Sequence, residues 1–183
     1  MVSDYKEILS DSAKGMKRSA IRELLKLTQK PEIISFAGGL PAKESFPLEQ
    51  LQEICAEVIA TDGAAACQYG STEGVPELLE ILAQRYRDQG LSYVTKENIT
   101  IITSSQQGLD TVGKIFLNRG DKYICELPSY LGAIGAFNSY GGIGVGIPQD
   151  EQGMSAVELE KTLAEMKAKG EKPKFIYLIP DFQ

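Results

Sequence analysis

A β-branched segment in the middle of the chain runs directly into small hydroxyl and amide residues. Residues 99–103 read Ile-Thr-Ile-Ile-Thr, and Ser-Ser-Gln-Gln follows before an apolar-periodic stretch typical of a helix. At such a strand-to-helix junction, free backbone N–H groups and the positive end of the helix dipole converge. The Ser105 hydroxyl and the Gln106 amide can add donors to the same anion. The pattern indicates a phosphate-binding turn, with ordinary N-capping by serine as the alternative.

An aromatic residue follows a second predicted strand. Residues 123–127 read Tyr-Ile-Cys-Glu-Leu, and Pro128, Ser129 and Tyr130 form a turn before the next helix-like stretch. This turn places Tyr130 at the start of a helix, where its ring could cover a flat ligand. Packing against the protein interior is the alternative for that side chain. Neither turn by itself decides between a functional and a structural role.

Two further motifs lie upstream of these turns. Residues 36–41 read Phe-Ala-Gly-Gly-Leu-Pro, and residues 68–70 read Gln-Tyr-Gly. With the two turns, they resemble the fold-type I aminotransferases of class I/II, which depend on pyridoxal 5'-phosphate (PLP). The resemblance is closest to the 2-aminoadipate and kynurenine aminotransferase group. It runs from about Ser19 to Gln183 and so covers nearly the whole chain.

The resemblance implies a set of cofactor-binding residues. Ser105 and Gln106 occupy the positions that hold the cofactor phosphate in this family, and Tyr130 occupies the position of the aromatic that stacks on the pyridine ring. Tyr69 matches a tyrosine that reaches the cofactor phosphate of the neighbouring subunit. This match implies a homodimer with two shared active sites, whereas a tyrosine packed within its own subunit is the alternative.

The resemblance also implies a substrate side of the site. Gly38 and Gly39 match a backbone turn that faces the substrate carboxylate, and a glycine pair lets the backbone approach a ligand closely. Ser19 and Arg22 lie on an N-terminal arm that folds over the substrate in this family. Arg22 could form a bidentate pair with the side-chain carboxylate of 2-aminoadipate or glutamate. A solvated helix residue beside Glu23 is the alternative for Arg22.

The family pattern continues past the position of Gln183. It goes on to an Asn-Pro turn, an Asp that pairs with the pyridine nitrogen, the Schiff-base Lys and an Arg for the substrate carboxylate. None of these is in the sequence, and each lysine matches another part of the fold. No catalytic residue is therefore assigned to this chain. It is predicted to be the N-terminal portion of an aminotransferase, inactive and a poor PLP binder alone.

The predicted reaction is PLP-dependent transfer of an amino group from an amino acid to a 2-oxo acid. 2-Aminoadipate and glutamate are the candidate donors. One alternative is a transcriptional regulator that keeps the aminotransferase fold as a ligand sensor. Another is a PLP lyase or decarboxylase of the same fold, since the reaction depends on which bond is aligned with the ring.

Composition excludes several classes of function. The net charge of the 183-residue sequence is −6, which argues against nucleic acid or an anionic membrane as partner. Histidine is absent, so catalytic triads and histidine metal sites are excluded, and no metal site is expected. The three cysteines lack zinc-site spacing and are typical of reduced packing thiols. With neither a secretory signal nor a membrane-length apolar stretch, a cytoplasmic protein is expected.

The elements that would position these residues alternate along the chain, which predicts an α/β fold with a mostly parallel sheet and flanking helices. An N-terminal helical arm with part of the small domain is expected over 1–45, and the N-terminal part of an incomplete PLP-binding large domain over 46–183. Strands are predicted at 99–103, 123–125, 143–147 and 175–179. Helices are predicted at 47–62, 76–90, 106–117, 130–140 and 155–168, the last with a Ser155/Glu158 capping box.

Two segments imitate nucleotide-binding loops. Residues 141–146 are rich in glycine but do not read Gly-x-Gly-x-x-Gly, and a turn entering a strand is the better interpretation. Residues 108–115 match a Walker A loop except at the last position, where Ile115 offers no hydroxyl to magnesium. Their apolar residues recur at helical spacing, so this segment is predicted to belong to a helix.

Overall fold

The computed structural model describes residues 5–15, 33, 41–181 and 183. The chain forms two units, one of residues 102–183 with the N-terminal residues up to 17, and one of residues 18–101. Its helices are α1 (Asp11–Gly15), α2 (Leu48–Ala66), α3 (Pro76–Asp88), α4 (Ser105–Phe116), α5 (Leu131–Ser139) and α6 (Ala156–Ala168), and its strands are β1 (Lys122–Leu127), β2 (Ile143–Asp150), β3 (Gly153–Met154) and β4 (Pro173–Tyr177). Short 3-10 helices lie at Tyr5–Ile8, Lys43–Ser45 and Lys96–Asn98. No helix in the described ranges is both long and apolar enough to cross a membrane.

Helix α2 is longer than its sequence pattern predicts. The Asp-Gly pair at 62–63 was expected to end it, but the helix kinks at Asp62 (φ −139°, ψ 22°) and continues to Ala66. Residues 64–66, which follow the Asp-Gly pair, are alanines and have the strongest helix propensity, and the Cys67 N–H donates to the Gly63 carbonyl. Local propensity therefore carries the helix past a pair that normally breaks one.

Helix α3 begins at Pro76 as predicted and ends at Asp88, two residues before the predicted limit. Pro76 occupies its first turn, where the missing N–H leaves no hydrogen bond unmade, and Gly90 follows its end with φ +96°. Leu79 and Ala83 form its buried face. Arg87 ties the helix to the following turn by donating to the Val94 carbonyl at 3.0 Å, and within the helix it donates to Glu80 Oε1 at 2.7 Å.

The segment 99–103 is not a strand in the structure, so this prediction is wrong. Its backbone donors bond elsewhere: Ile99 to the Lys96 carbonyl, Ile101 to the Glu73 carbonyl, and Thr103 to Gln107 Oε1. β-Branched residues favour an extended backbone, but a strand needs a neighbouring strand to receive its hydrogen bonds. Within the described ranges, no strand pairs with this segment.

The sheet has the order β3-β2-β1-β4. β1 pairs in parallel with β2 on one side and with β4 on the other, and the predicted α/β fold is confirmed. β3 was not predicted: it turns back antiparallel onto the end of β2, through Gly153 at φ +104°. The glycine-rich segment 141–146 enters and forms β2, and residues 108–115 lie in α4, as expected for both imitations of nucleotide loops.

Aromatic side chains form the core beneath α4 and α5. The ring of Phe137 lies 5.0 Å from those of Tyr123 and Phe175 and 5.7 Å from that of Tyr177, measured between centroids. Tyr123 is fully buried, and its hydroxyl donates to Asn138 Oδ1 at 3.0 Å. The cluster fastens α5 to β1 and β4, so the residues that begin α5 are held close to the ends of these strands.

The helices around this sheet begin and end within one residue of their predicted limits. Ser155 caps α6, its hydroxyl accepting from the Glu158 N–H at 3.4 Å. Serine at this position satisfies one of the donors that a helix start leaves open.

Alkaline unfolding should report the burial of Tyr123. Burial raises the pKa of its phenol to about 12, because the phenolate loses its hydration. The unfolded chain ionises near pH 10, so the stabilisation from the neutral phenol is complete below about pH 10 and is lost as the pH rises toward 12. Tyr123→Phe should therefore lose less free energy of unfolding over this range than the wild type, as measured by urea denaturation. The exposed Tyr93→Phe serves as control and should keep the wild-type pH dependence.

Candidate functional site

The carboxyl ends of β1, β2 and β4 open onto a cleft of about 540 Å³. Pro128, Ser129 and Tyr130 line it from the turn after β1, and Gln149 lines it from β2. Tyr177 at the end of β4 and the nearby Ile179 complete much of the remaining wall. Ligands of open α/β sheets bind at such crevices outside the carboxyl ends of parallel strands.

The N-terminus of α4 carries unused donors. Ser104 is fully extended before the helix, and its carbonyl accepts from the N–H groups of Gln107 and Gly108 at 3.0 and 3.4 Å. The N–H groups of Ser105 and Gln106 have no partner among the described residues. Together with the positive end of the helix dipole, these two N–H groups provide an exposed position suited to an anion.

The two glutamines of this turn have different roles. Gln107 folds back, its Oε1 accepting from the Thr103 N–H at 2.6 Å, and so holds the entry to the helix. The Gln106 amide instead extends across the unit, where Nε2 donates to the Gly132 carbonyl at 3.4 Å. The structure thus gives Gln107 a local role that the sequence did not predict and leaves Gln106 as the candidate of the pair for the phosphate.

Tyr130 meets Gln106 at Gly132. A Cβ added to Gly132 would lie 2.5 Å from Cζ and 2.7 Å from Oη of Tyr130, so the phenol ring packs directly over this glycine. The Tyr130 carbonyl accepts from the Ala133 and Ile134 N–H groups and begins α5, while about half of the side chain stays exposed. The structure therefore brings together the phosphate-binding and ring-stacking candidates from the two predicted turns.

Substitution of Gly132 should test the position of this ring. In Gly132→Ala the new methyl would occupy space that the Tyr130 ring fills, so the ring must rotate away. We expect PLP affinity of the full-length protein to fall about tenfold, measured by absorbance titration. Gly135→Ala is the matched control on the same helix, because nothing lies within 4 Å of its added Cβ. Equal affinities of the two variants would show that the ring position is irrelevant to binding.

Ser129 is a site residue that sequence reasoning missed. Its hydroxyl oxygen is buried and has no hydrogen-bond partner among the residues that the structure describes, although the residue lines the cleft. A buried polar atom without a partner costs stability, and such atoms are often satisfied by a ligand or water. Nothing in the sequence distinguishes Ser129 from a common turn serine, because its burial depends on the fold.

The floor of the cleft is a hydrogen-bonded network around the turn after β1. The Leu127–Pro128 peptide is cis, and the Pro128 carbonyl accepts from the side-chain amides of Gln149 at 3.0 Å and Gln183 at 2.9 Å. Burial, followed by the charges of Tyr130 and Glu126, raises the pKa of the Tyr177 phenol. Its hydroxyl is therefore neutral at physiological pH.

The other predicted site residues belong to the second unit or to the part of the chain that the structure does not describe. Tyr69 belongs to the unit of residues 18–101, and its side chain is fully exposed. Ser19, Arg22, Gly38 and Gly39 lie outside the described residues. The structure thus has Ser105, Gln106 and Tyr130 in one unit. The substrate side of the site stays a prediction from the sequence.

Comparison with known proteins identifies the family. The family described as aminotransferase class I and II matches residues 31–179. Aromatic-amino-acid aminotransferase 1 of Thermococcus litoralis is 44% identical over 98% of this chain and 43% of its own length. The structure of Pyrococcus horikoshii kynurenine aminotransferase, in complex with PMP, superposes with a TM-score of 0.87 at 40% identity, over 99% of this chain and 45% of that one.

A third comparison agrees with these two. The α-aminoadipate aminotransferase of Thermus thermophilus, complexed with N-(5'-phosphopyridoxyl)-L-leucine, has a TM-score of 0.82 at 41% identity, over 98% of this chain and 42% of that one. The chain thus spans less than half the length of the proteins it matches. Sequence motifs, fold and relatives all agree, and the chain belongs to the class I and II aminotransferase family.

Proposed function

We propose that this chain is the N-terminal portion of a PLP-dependent aminotransferase, which transfers an amino group from an amino acid to a 2-oxo acid. One observation carries the proposal. Gln106 and Tyr130 converge on Gly132, and Gln106 also begins α4, where the N–H groups of Ser105 and Gln106 have no partner among the described residues. A phosphate and a planar ring joined in one molecule would satisfy both features together.

The residues at the start of α4 and those that line the cleft fit this cofactor. Ser105 and Gln106 would bind the phosphate with their side chains and N–H groups, and the exposed face of Tyr130 would pack on the ring. The buried Ser129 hydroxyl has no partner in the described part of the chain and would gain one in a polar ligand in the cleft. The bound cofactor would supply an electron-accepting ring. The chain's own contribution is to fix the plane of that ring and neutralise the phosphate charge.

The substrate side of the proposal rests on sequence. Gly38 and Gly39 would face the substrate carboxylate, and Ser19 and Arg22 would lie over the substrate from the arm. Relatives named for aromatic amino acids and for aminoadipate support an amino acid donor in these classes, and 2-aminoadipate or glutamate suits an arginine. We assign residues 1–45 to the arm with part of the small domain, and residues 46–183 to part of the large domain.

We further propose that residues 1–183 do not catalyse transfer by themselves. Among the described residues, no lysine lines the cleft. The lysines at the ends of the sheet are engaged elsewhere, Lys122 with Glu171 and Lys174 with Asp121. The Schiff-base lysine would therefore come from sequence outside these residues.

The homodimer and its cytoplasmic location also belong to the proposal. The side chain of Tyr69 is fully exposed, as a residue that reaches a second subunit must be before assembly. The buried Cys125 and the two exposed cysteines are free thiols, as expected in a reducing compartment.

The test is amino transfer by the full-length protein. Purified protein with PLP should convert 2-oxoglutarate to glutamate in the presence of 2-aminoadipate or an aromatic amino acid. Release of CO2 or ammonia without amino transfer would instead indicate a decarboxylase or lyase, and ligand binding without turnover would indicate a sensor. Arg22→Ala should weaken the preference for acidic over aromatic donors, and an unchanged preference would contradict the role given to Arg22.

A further inference from the structure

Glu126 is the one charged residue that the described part of the chain buries, with 4% of its surface exposed. It is the penultimate residue of β1, four positions before Tyr130. Its Oε2 accepts from the Ile179 N–H at 3.0 Å, which joins residues 53 positions apart in the chain. The function proposed above gives this carboxylate no role.

The hydrogen bond replaces a missing rung of the sheet. The parallel ladder between β1 and β4 ends at the pair Cys125–Tyr177, and β1 then turns away at Pro128. The Ile179 N–H lies beyond the last rung and requires an acceptor, because a partly buried donor without a partner is costly. The Glu126 carboxylate supplies that acceptor from the side chain, at the point where the β1 backbone no longer does so.

This bond sets the course of the chain after β4. Ile179 lines the same cleft as Tyr130, and the next tie is the Gln183 amide, which donates to the Pro128 carbonyl at 2.9 Å. A buried carboxylate is a costly way to gain stability, since an apolar residue of similar volume often serves as well. A role in fixing geometry accounts better for its presence beside the cleft.

We propose that Glu126 is a positioning residue for the cofactor cleft. It holds Ile179 against the turn that carries Ser129 and Tyr130, and thereby keeps the cleft shaped for the cofactor ring. The inference rests on the proposed function, because it concerns the same cleft. It adds a residue that does not itself touch the cofactor and acts through the Ile179 backbone.

Three variants of the full-length protein distinguish the effect of the Glu126–Ile179 hydrogen bond from the effect of the Glu126 charge and from a general loss of stability. Glu126→Leu keeps much of the buried volume and removes the acceptor, whereas Glu126→Gln removes the charge and keeps an acceptor oxygen. Ile124→Val perturbs a fully buried side chain on the same strand and face. Each is measured by amide hydrogen exchange at Ile179 and by absorbance titration with PLP.

Loss of the acceptor should affect both measurements. In Glu126→Leu we expect exchange at Ile179 to accelerate about tenfold or more and PLP affinity to fall about tenfold. Glu126→Gln should stay within about threefold of the wild type in both measurements. Ile124→Val should lower the urea midpoint while leaving Ile179 exchange and PLP affinity close to the wild-type values.

Several results would overturn the positioning role. One is an unchanged rate of Ile179 exchange in Glu126→Leu. Another is an equal loss of PLP affinity in Glu126→Leu and Glu126→Gln, because it would mean that the charge of Glu126, and not its hydrogen bond to Ile179, supports PLP binding. If Glu126→Leu does not fold, the wild type and Glu126→Gln still provide a test. Rapid exchange at Ile179 in the wild type would contradict the positioning role, and so would a Glu126→Gln variant that loses Ile179 protection or PLP affinity. A wild type that binds no PLP would refute the proposed function, while Ile179 exchange would still test Glu126 separately.

Discussion

Replacing Ser105 with aspartate should lower the affinity of the full-length protein for PLP by about 100-fold or more. The new carboxylate would stand at the start of α4, beside the N–H groups proposed to receive the phosphate, and would repel it. The same change should leave the fold intact, or raise its stability by about 0.3–1 kcal/mol, because a negative charge at a helix N-terminus is favourable. Absorbance titration with PLP and urea denaturation measure the two effects independently.

A second aspartate on the same helix provides the control. Thr111 is exposed on α4 and lies beyond its first turn, so Thr111→Asp adds the same charge away from the proposed phosphate site. Its PLP affinity should remain within about twofold of the wild type, because exposed charges at such a distance are screened. If Ser105→Asp binds PLP as tightly as Thr111→Asp, the phosphate does not lie at this helix start.

Removing the ring of Phe137 should produce the largest loss of stability. Phe137 is 1% exposed and packs against Tyr123, Phe175 and Tyr177, so Phe137→Ala would leave a cavity at the centre of the aromatic core. Truncations of this kind cost about 3–5 kcal/mol in free energy of unfolding. The change should also loosen α5 from the sheet and weaken PLP binding, since Tyr130 begins that helix.

The same truncation at the edge of the core should cost much less. Phe116 contacts Phe175 edge-to-face with ring centroids 6.4 Å apart, but half of its surface is exposed. Phe116→Ala should therefore lower the free energy of unfolding by about 1 kcal/mol, measured by urea denaturation under the same conditions. Similar losses in both variants would mean that Phe137 does not hold the centre of this core.

Local sequence was sufficient for most elements around the sheet. Apolar residues at helical spacing, with Ser155 as a cap, predicted α4, α5 and α6 within one residue, because such signals act over a single helical turn. The family and its cofactor class could also be predicted, since the Ser-Gln and Pro-Ser-Tyr turns are short contiguous motifs. These motifs identify Ser105, Gln106 and Tyr130 as candidates but do not show how far apart the three side chains lie in the fold.

Local signals were misleading where a distant partner decides the outcome. The segment 99–103 has the composition of a strand, yet it bonds to Glu73, Lys96 and Gln107 because no described strand lies beside it. The short strand β3 shows the converse. Its two residues carry no strand pattern, and they pair only because the turn at Gly153 returns them to the end of β2.

The sequence by itself determined the family and the α/β alternation, and it is the source of the prediction that Ser105, Gln106 and Tyr130 bind a phosphate and a ring. Only the tertiary structure decided that Gln106 and Tyr130 meet at Gly132, that the Ser129 hydroxyl is buried with no partner among the described residues, and that Glu126 accepts a hydrogen bond from the Ile179 N–H. The physical reason is the range of the interactions. Each of these contacts or burials depends on how β1, β4, α4 and α5 pack together, whereas propensity and periodicity act between near neighbours.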